Sequence, residues 1–277
     1  MIKTLVKQII NYLGYLIYFL LNNKLTYLIG DSVILNKVEE KRKIKLGKVV
    51  IYLYTPTFLL RYRHKTFFTK EPETLKWIDG FEDKSVFLDV GANVGLYSIY
   101  AAVKKQSYVY AFEPSFFNLE FLVRNIYINR LVDCVNVIPI ALNNSTGINN
   151  FHLTTTEWGG ALSTFEQSYD DSGNEMKPDF VYKTVGFDLD TLVNQLKIKK
   201  IDYIKIDVDG LEHLILEGAI NTLKNVKEVL IEINDNFSEQ REVSNKILVK
   251  LGFQLDQKVY TEKKTKQVAN QIWKKNN

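Results

Sequence analysis

The sequence predicts an α/β fold: a doubly wound, mostly parallel sheet with an N-terminal helical and strand extension. Three observations predict it. From residue 85 on, short apolar runs alternate with segments of helical periodicity. Several of those runs are closed by an acid. A glycine turn, Gly91-Ala92-Asn93-Val94-Gly95, joins the first run to the first helical segment. With 277 residues, 46% of them apolar, the chain is long enough to bury a sizeable core.

Each element of the core follows in order. Val86 to Val90 reads as a strand, and Leu96 to Ala102 after the turn as a helix. Tyr108 to Phe112 is the second strand, closed by Glu113-Pro114. Asn118 to Asn129 has Leu119, Leu122, Val123 and Ile126 at helical spacing. Val135 to Pro139 is a third strand, and Tyr203–Val208 and Val229–Ile233 are later ones. Strands of such a sheet gather ligands at their carboxyl ends, so Asp89, Glu113, Asp207 and Glu232 should share one rim. Between Gly147 and Gly186 the chain turns polar and irregular, as a lid or binding insertion would. There Trp158 could stack on a sugar face, with His152 and Glu157 beside it, or pack on the core.

The first 70 residues stand apart. Residues 1–84 carry 15 Lys/Arg against 8 Asp/Glu, whereas the rest of the chain is slightly acidic. Ile9 to Leu21 is a mostly apolar run, too short for a bilayer-spanning helix and followed by no small-residue cleavage site. Tyr12, Tyr15 and Tyr18 with lysine flanks suit a helix at a membrane surface, so residues 1–24 are either a peripheral membrane contact or a helix packed on the domain or in a dimer. Localisation is accordingly cytoplasmic, with peripheral contact at the membrane face open. Lys41, Arg42, Lys43 and Lys45 read as a solvated loop or strand edge, and Val49 to Tyr54 as a strand ended by Thr55-Pro56.

Composition excludes several classes. One cysteine, Cys134, excludes an internal disulfide framework and a multi-cysteine zinc site. The three histidines share no ligand spacing, and a net charge of +4 does not call for a nucleic-acid partner.

The glycine turn narrows the ligand. The dinucleotide fingerprint has a second glycine where Asn93 stands, and Asp89 just before the turn would repel a diphosphate. Glu113, 22 residues beyond Gly91, sits at the offset of an acid that holds ribose hydroxyls. A cationic aminoacyl nucleoside without phosphates, S-adenosylmethionine, meets all three conditions.

Phe87 to Ser98, then Ala111-Phe112-Glu113-Pro114, then Ile204-Lys205-Ile206-Asp207-Val208-Asp209-Gly210-Leu211-Glu212 resemble the FkbM family of S-adenosylmethionine-dependent methyltransferases. Asn125, Ala141-Leu142 and Leu189 to Leu192 fit the same pattern, which covers roughly residues 70–255. The resemblance implies a class I methyltransferase domain of Rossmann-like fold over residues 71–277, preceded by an extension over 1–70. It implies O-methylation of a sugar, glycan or related metabolite by in-line displacement, as in polysaccharide biosynthesis. One departure is Asp209, where the family usually has Glu.

In the transferred roles the Gly91, Asn93 and Gly95 loop passes the methionine moiety. Asp89 contacts the amino group directly or through water, Glu113 accepts from the ribose, and Ala141 borders the adenine. Asp207 is the expected base or substrate anchor, with Lys205 and Glu212 as its catalytic companions, or with Lys205 in a purely structural ion pair. His213 is expected on a helix surface. A divalent metal on Asp207 with Glu232, Asn234 or Asp235 is open but not favoured, and no metal ligand is assigned. A nicotinamide-dependent oxidoreductase and a catalytically silent glycan-assembly protein are the alternatives.

Overall fold

Two N-terminal helices, α1 (Ile2–Leu20) and α2 (Lys24–Val38), lead into a hairpin of β1 (Lys41–Leu46) and β2 (Val49–Tyr54). The structure is a computed structural model, and it describes residues 2–20, 24–47, 49–261 and 267–275. Next come α3 (Phe58–Lys65) and α4 (Pro72–Asp79), then β3 (Val86–Val90), α5 (Leu96–Lys105), β4 (Tyr108–Phe112), α6 (Phe116–Ile128) and β5 (Val135–Ile138). A second group holds β6 (Ala141–Asn143), β7 (Gly147–Leu153), β8 (Ser163–Phe165) and β9 (Phe180–Asp188). The chain then returns through α7 (Leu189–Gln195), β10 (Tyr203–Ile206), α8 (Glu212–Glu217), α9 (Ile220–Leu223), β11 (Glu228–Asn234), α10 (Ser238–Lys250), β12 (Phe253–Tyr260) and β13 (Val268–Lys275).

The main sheet runs β12-β13-β11-β10-β3-β4-β5. The β11-β10-β3-β4-β5 pairs are parallel, and β13 runs antiparallel to both its neighbours. The fold is thus the expected doubly wound, mostly parallel α/β class. Its strand order reverses between β3 and β10, which opens a crevice at their carboxyl ends.

Alternation along the strands sorts side chains onto two cores. Phe87, Val109, Tyr203 and Leu230 pack with Trp77, Phe81 and Ile99 on one face. Leu88, Val90, Ile204, Ile206 and Ile231 pack with Leu189, Ile215 and Leu248 on the other. Each such side chain stabilises the fold by roughly 1.5–3 kcal/mol. The same period of two puts Asp89, Lys205 and Glu232 on the first face, close to the rim where the strands end.

Three expectations need correction. The polar stretch from 147 to 186 is not an irregular excursion: β7, β8 and β9 join β6 in a second sheet, ordered β6-β9-β7-β8. Its strands alternate exposed with buried residues, Phe151, Leu153 and Phe165 turning inward, and a strand exposed on one face reads as polar. Val123 does not share the buried face of α6, being half exposed. His213 is buried rather than on a helix surface, edge-on to Phe237 at 5.6 Å.

The hairpin of the extension is stitched to the domain. The amide of Tyr54 donates to Asn125 Oδ1 at 2.8 Å, while Asn125 Nδ2 donates to the carbonyl of Val94 in the glycine turn at 2.9 Å. Asn129 pairs with both backbone groups of Tyr52. Each of these bonds contributes about 1 kcal/mol net. Among the described residues no helix is long and apolar enough to cross a membrane; Met1 and residues 21–23 of the 1–24 segment lie outside them.

Candidate active site

The crevice is a partly open cavity, about 1210 Å³ with the solvent in its mouth included. Its lining comes from four places: the β3–α5 turn with Glu113 and β6, the rim of β10 and β11, the α3–α4 segment, and the loop before β8.

Bare backbone makes the first wall. Gly91 has φ +83°, and a Cβ there would lie 1.8 Å from the carbonyl oxygen of Asp207, so only glycine lets the turn close on β10. Asn93 takes the left-handed conformation too, at φ 51°. Its N–H donates to Glu113 Oε2 at 2.8 Å and its Nδ2 to the carbonyl of Gly160 at 2.7 Å. Glu113 Oε1 accepts from the amide of Ser115. Each carboxylate oxygen has lone pairs to spare, so Glu113 can still accept from a diol in the cavity. Burial, against the pull of two amides, pushes its carboxyl up to about 7. Ala141 and Leu142 of β6 line the same side. Gly95, the left-handed cap of α5, does not: a Cβ there would meet Leu122 of α6 instead.

Charge makes the second wall. Lys205 is fully buried, donates to Asp207 Oδ2 at 2.5 Å, and lies 5.1 Å from the centre of the Tyr97 ring. Burial alone would lower its ammonium, but Asp207, Glu71 and Asp89 reverse that and hold it above the ordinary lysine value. Burial would likewise raise Asp207; the Lys205 ammonium, with Lys70 and Arg63 beyond, brings it below the usual carboxylate range. Asp209, in left-handed backbone at φ 60°, accepts from the amide of Leu162 at 2.7 Å. Burial and the neighbouring Asp207 push it up to about 6. Glu232 is raised well above its ordinary value by burial and by Asp207.

Asp207, Asp209 and Glu232 bring carboxylate oxygens within 4.8 Å of one another, an arrangement able to hold a hard cation. The other expected partners face elsewhere. Asn234 donates to Ser172, and Asp235 is held by Lys258 and Tyr260.

Besides Gly95, two expected site residues do not reach the cavity. Asp89 is buried on β3, accepting from Ser98 Oγ, and does not line the cavity. It stands level with Lys205 on the same face, and its shorter side chain turns to Ser98 of α5 instead of reaching the strand end. Glu212 is buried as well, accepting from the amides of Val208 and Gly210 at 3.0 Å each and from Gln240 Nε2. It shapes the turn that carries Asp207 and Asp209 and is a positioning residue, corrected from a catalytic one. Trp158 packs on Phe121 at 4.8 Å, and His152 binds the carbonyl of Gln167; neither lines the cavity.

Arg63, Lys70 and Glu71 line the cavity from the segment assigned to the extension, so a boundary at residue 70 falls inside the wall. Arg63 reaches across to the carbonyl of Gly159, and Lys70 pairs with Glu71 at 2.8 Å. A signal for the helix was present: Thr57 after Pro56 caps α3, its hydroxyl accepting from Leu60. Nothing local shows that Arg63 turns inward.

Comparison with known proteins bears on this geometry. Residues 89–260 match the family model described as the methyltransferase FkbM domain. Over 153 residues the chain is 29% identical to the hexuronic acid methyltransferase AglP of Haloferax volcanii, covering 55% of this chain and 57% of that one. The chain thus spans little more than half the length of that curated relative. Two solved structures are similar at lower identity. TrmK of M. capricolum, in complex with S-adenosylhomocysteine, is 14% identical with a TM-score of 0.42, over 73% of this chain and 68% of its own. Precorrin-6y C5,15-methyltransferase of Geobacter metallireducens is 12% identical with a TM-score of 0.44, over 75% and 87%.

Proposed function

The chain belongs to the FkbM methyltransferase family, and from that premise we propose that it transfers a methyl group from S-adenosylmethionine to a hydroxyl of a sugar or glycan. Membership supports methyl transfer over the nicotinamide-dependent alternative. One observation carries the finer reading: a glycine-walled crevice ending in Glu113 opens directly onto a buried Lys205–Asp207 pair and Asp209. The sugar acceptor is suggested by the hexuronic acid methyltransferase relative.

When bound, S-adenosylmethionine supplies an electrophilic methyl group on a positively charged sulfur. Glu113 would hold the ribose diol, the Gly91 and Asn93 backbone would pass the methionine moiety, and Ala141 with Leu142 would flank the adenine. The acceptor hydroxyl lies against Asp207 and Asp209. Asp207, kept ionised by Lys205, accepts its hydrogen bond and orients it for in-line attack. Asp209, more basic at about 6 and ionised at neutral pH, takes the proton as the new bond forms. Lys205 stays protonated, so it fixes Asp207 and takes no proton itself. A divalent cation, were one to bind, would sit on Asp207, Asp209 and Glu232.

Calorimetric titration with S-adenosylhomocysteine tests the first half of this reading. Binding is expected, and its absence overturns the cofactor assignment. Transfer of a labelled methyl group to a panel of uronic and neutral sugars, with and without chelator, tests the second. Cofactor binding without transfer to any lipid-linked, nucleotide-linked or free sugar would favour the silent assembly protein.

A further inference from the structure

The outer side of α3 and the edge strand β1 form a surface that methyl transfer does not use. Ile44 and Leu46 of β1 are buried, so alternation forces Lys43 and Lys45 outward. On α3, Leu60 is buried and Arg63 lines the catalytic cavity, which leaves Phe58, Tyr62 and Lys65 on the opposite side. These side chains border one shallow groove together with Phe68.

Two properties of the groove are unusual together. Its arginines are committed: Arg42 and Arg61 both pair with Glu40. Lys43, Lys45 and Lys65, all exposed, make no ion pair among the described residues. Interleaved with them, Phe58, Tyr62 and Phe68 are 76%, 46% and 49% exposed. Free cations alone would suit any polyanion in water. Large aromatic side chains left in water beside them suit a boundary where one layer is anionic and the next is apolar.

We propose that the face built by β1 and the outer side of α3 docks on the anionic headgroup layer of a bilayer, the three lysines meeting headgroups and the aromatic rings entering the interface. The charge is complementary, because this basic face sits within residues 1–84, which hold 15 Lys/Arg against 8 Asp/Glu. The apolar α1 supports the same partner: Ile9, Ile10, Leu13 and Ile17 are all about half exposed, on a helix that does not qualify as a membrane span. Lys43 and Lys45, read from sequence as a solvated edge, become recognition residues. Because the inner side of α3 walls the cavity, docking would bring the catalytic cavity to the membrane surface.

The test is co-sedimentation of the full chain with vesicles of phosphatidylcholine alone and of phosphatidylcholine mixed with phosphatidylserine. Binding is expected only to the mixture and should weaken with salt. Each lysine near an anionic surface is worth about fivefold, so Lys43→Gln, Lys45→Gln and Lys65→Gln together should weaken binding about a hundredfold. Phe58→Ser with Tyr62→Ser should weaken it as well, and both variants should keep the parent's circular-dichroism spectrum and urea midpoint as a check on folding. Equal binding to neutral vesicles, or undiminished binding by the triple variant, overturns the proposal; the latter would leave α1 as the contact. Tight capture of an RNA oligonucleotide that the triple variant loses and the aromatic variant keeps would also overturn it, in favour of a soluble polyanion. None of these outcomes depends on methyl transfer, so this proposal and the functional one fail separately.

Discussion

The β3–α5 turn and the β10–α8 turn lie side by side at the centre of the cavity, yet they are built on opposite principles. The first is neutral backbone: Gly91 and Asn93 in left-handed conformation, with a single acid, Glu113, receiving the Asn93 amide. The second is charge: Lys205 and Asp207 paired, Asp209 in left-handed backbone, and Glu212 gathering the amides beneath them. Shape limits the first wall, because its work is to let a ligand and a neighbouring strand come close. Protonation limits the second, because its acids are held by the Lys205 ammonium, by one another's charge and by amide donors. Substitutions in the first should therefore act on folding and cofactor binding, and in the second on rate and pH dependence.

The largest effect is expected at Gly91. Gly91→Ala must place a Cβ 1.8 Å from a backbone oxygen of Asp207, in a conformation that costs an alanine roughly 1–2 kcal/mol before any clash. With overpacking added at about 1–3 kcal/mol, destabilisation of about 2–5 kcal/mol follows, with loss of S-adenosylhomocysteine binding. Urea unfolding and calorimetry would measure both, and a variant of parent stability and affinity would mean that the turn is not shape-limited.

A smaller and different effect belongs to Asp209. Its carboxyl, raised to about 6, must be ionised to take a proton, so kcat/KM should rise with pH and level off above about 6. Asp209→Asn removes that acceptor. A loss of about 100-fold in turnover is expected, cofactor affinity should be kept, and the rise through pH 6 should vanish. An unchanged pH profile in the variant would take the proton from Asp209 and return it to Asp207.

How much of this was legible in the sequence follows the same division. The β3 and β4 strands and their glycine turn could be read residue by residue, because a left-handed turn between apolar runs is a local demand met by local residues. Glu113 followed from its offset. The charged wall was only half legible. Lys205 and Asp207 stand out as a charged pair in an apolar run, but nothing in the spacing shows that Asp89, on the same face as Lys205, is held by Ser98 of α5 and kept out of the cavity lining. Glu212 seemed catalytic because it is an acid beside a motif, and only the three donors aimed at it show otherwise. Arg63 and Lys70 could not be found, since their place in the wall depends on how the hairpin and α3 dock against α6. The second sheet was hidden for a related reason: a strand with one face in water has the composition of a loop.

The smallest effect should fall on Glu212 itself. It lies against both regions' shared floor without touching the cavity, so Glu212→Gln keeps the size of the side chain and leaves one oxygen to accept from the turn. Burial raises the Glu212 carboxyl to about 8 while the Val208 amide pulls it down, so replacing a group already drawn toward its neutral form disturbs little charge. What is lost is one acceptor for three donors, about 1–3 kcal/mol of unsatisfied polar group if the turn stays rigid and less if it relaxes. A relaxed turn moves Asp207 and Asp209 together. Cofactor affinity should hold while turnover falls by less than tenfold, and the step near pH 6 should shift without disappearing, because Asp209 would keep its proton chemistry but lose its fixed distance from Asp207. A flat profile would place Glu212 among the proton-transferring groups, and a loss of cofactor binding would show that the two turns do not act as separate walls.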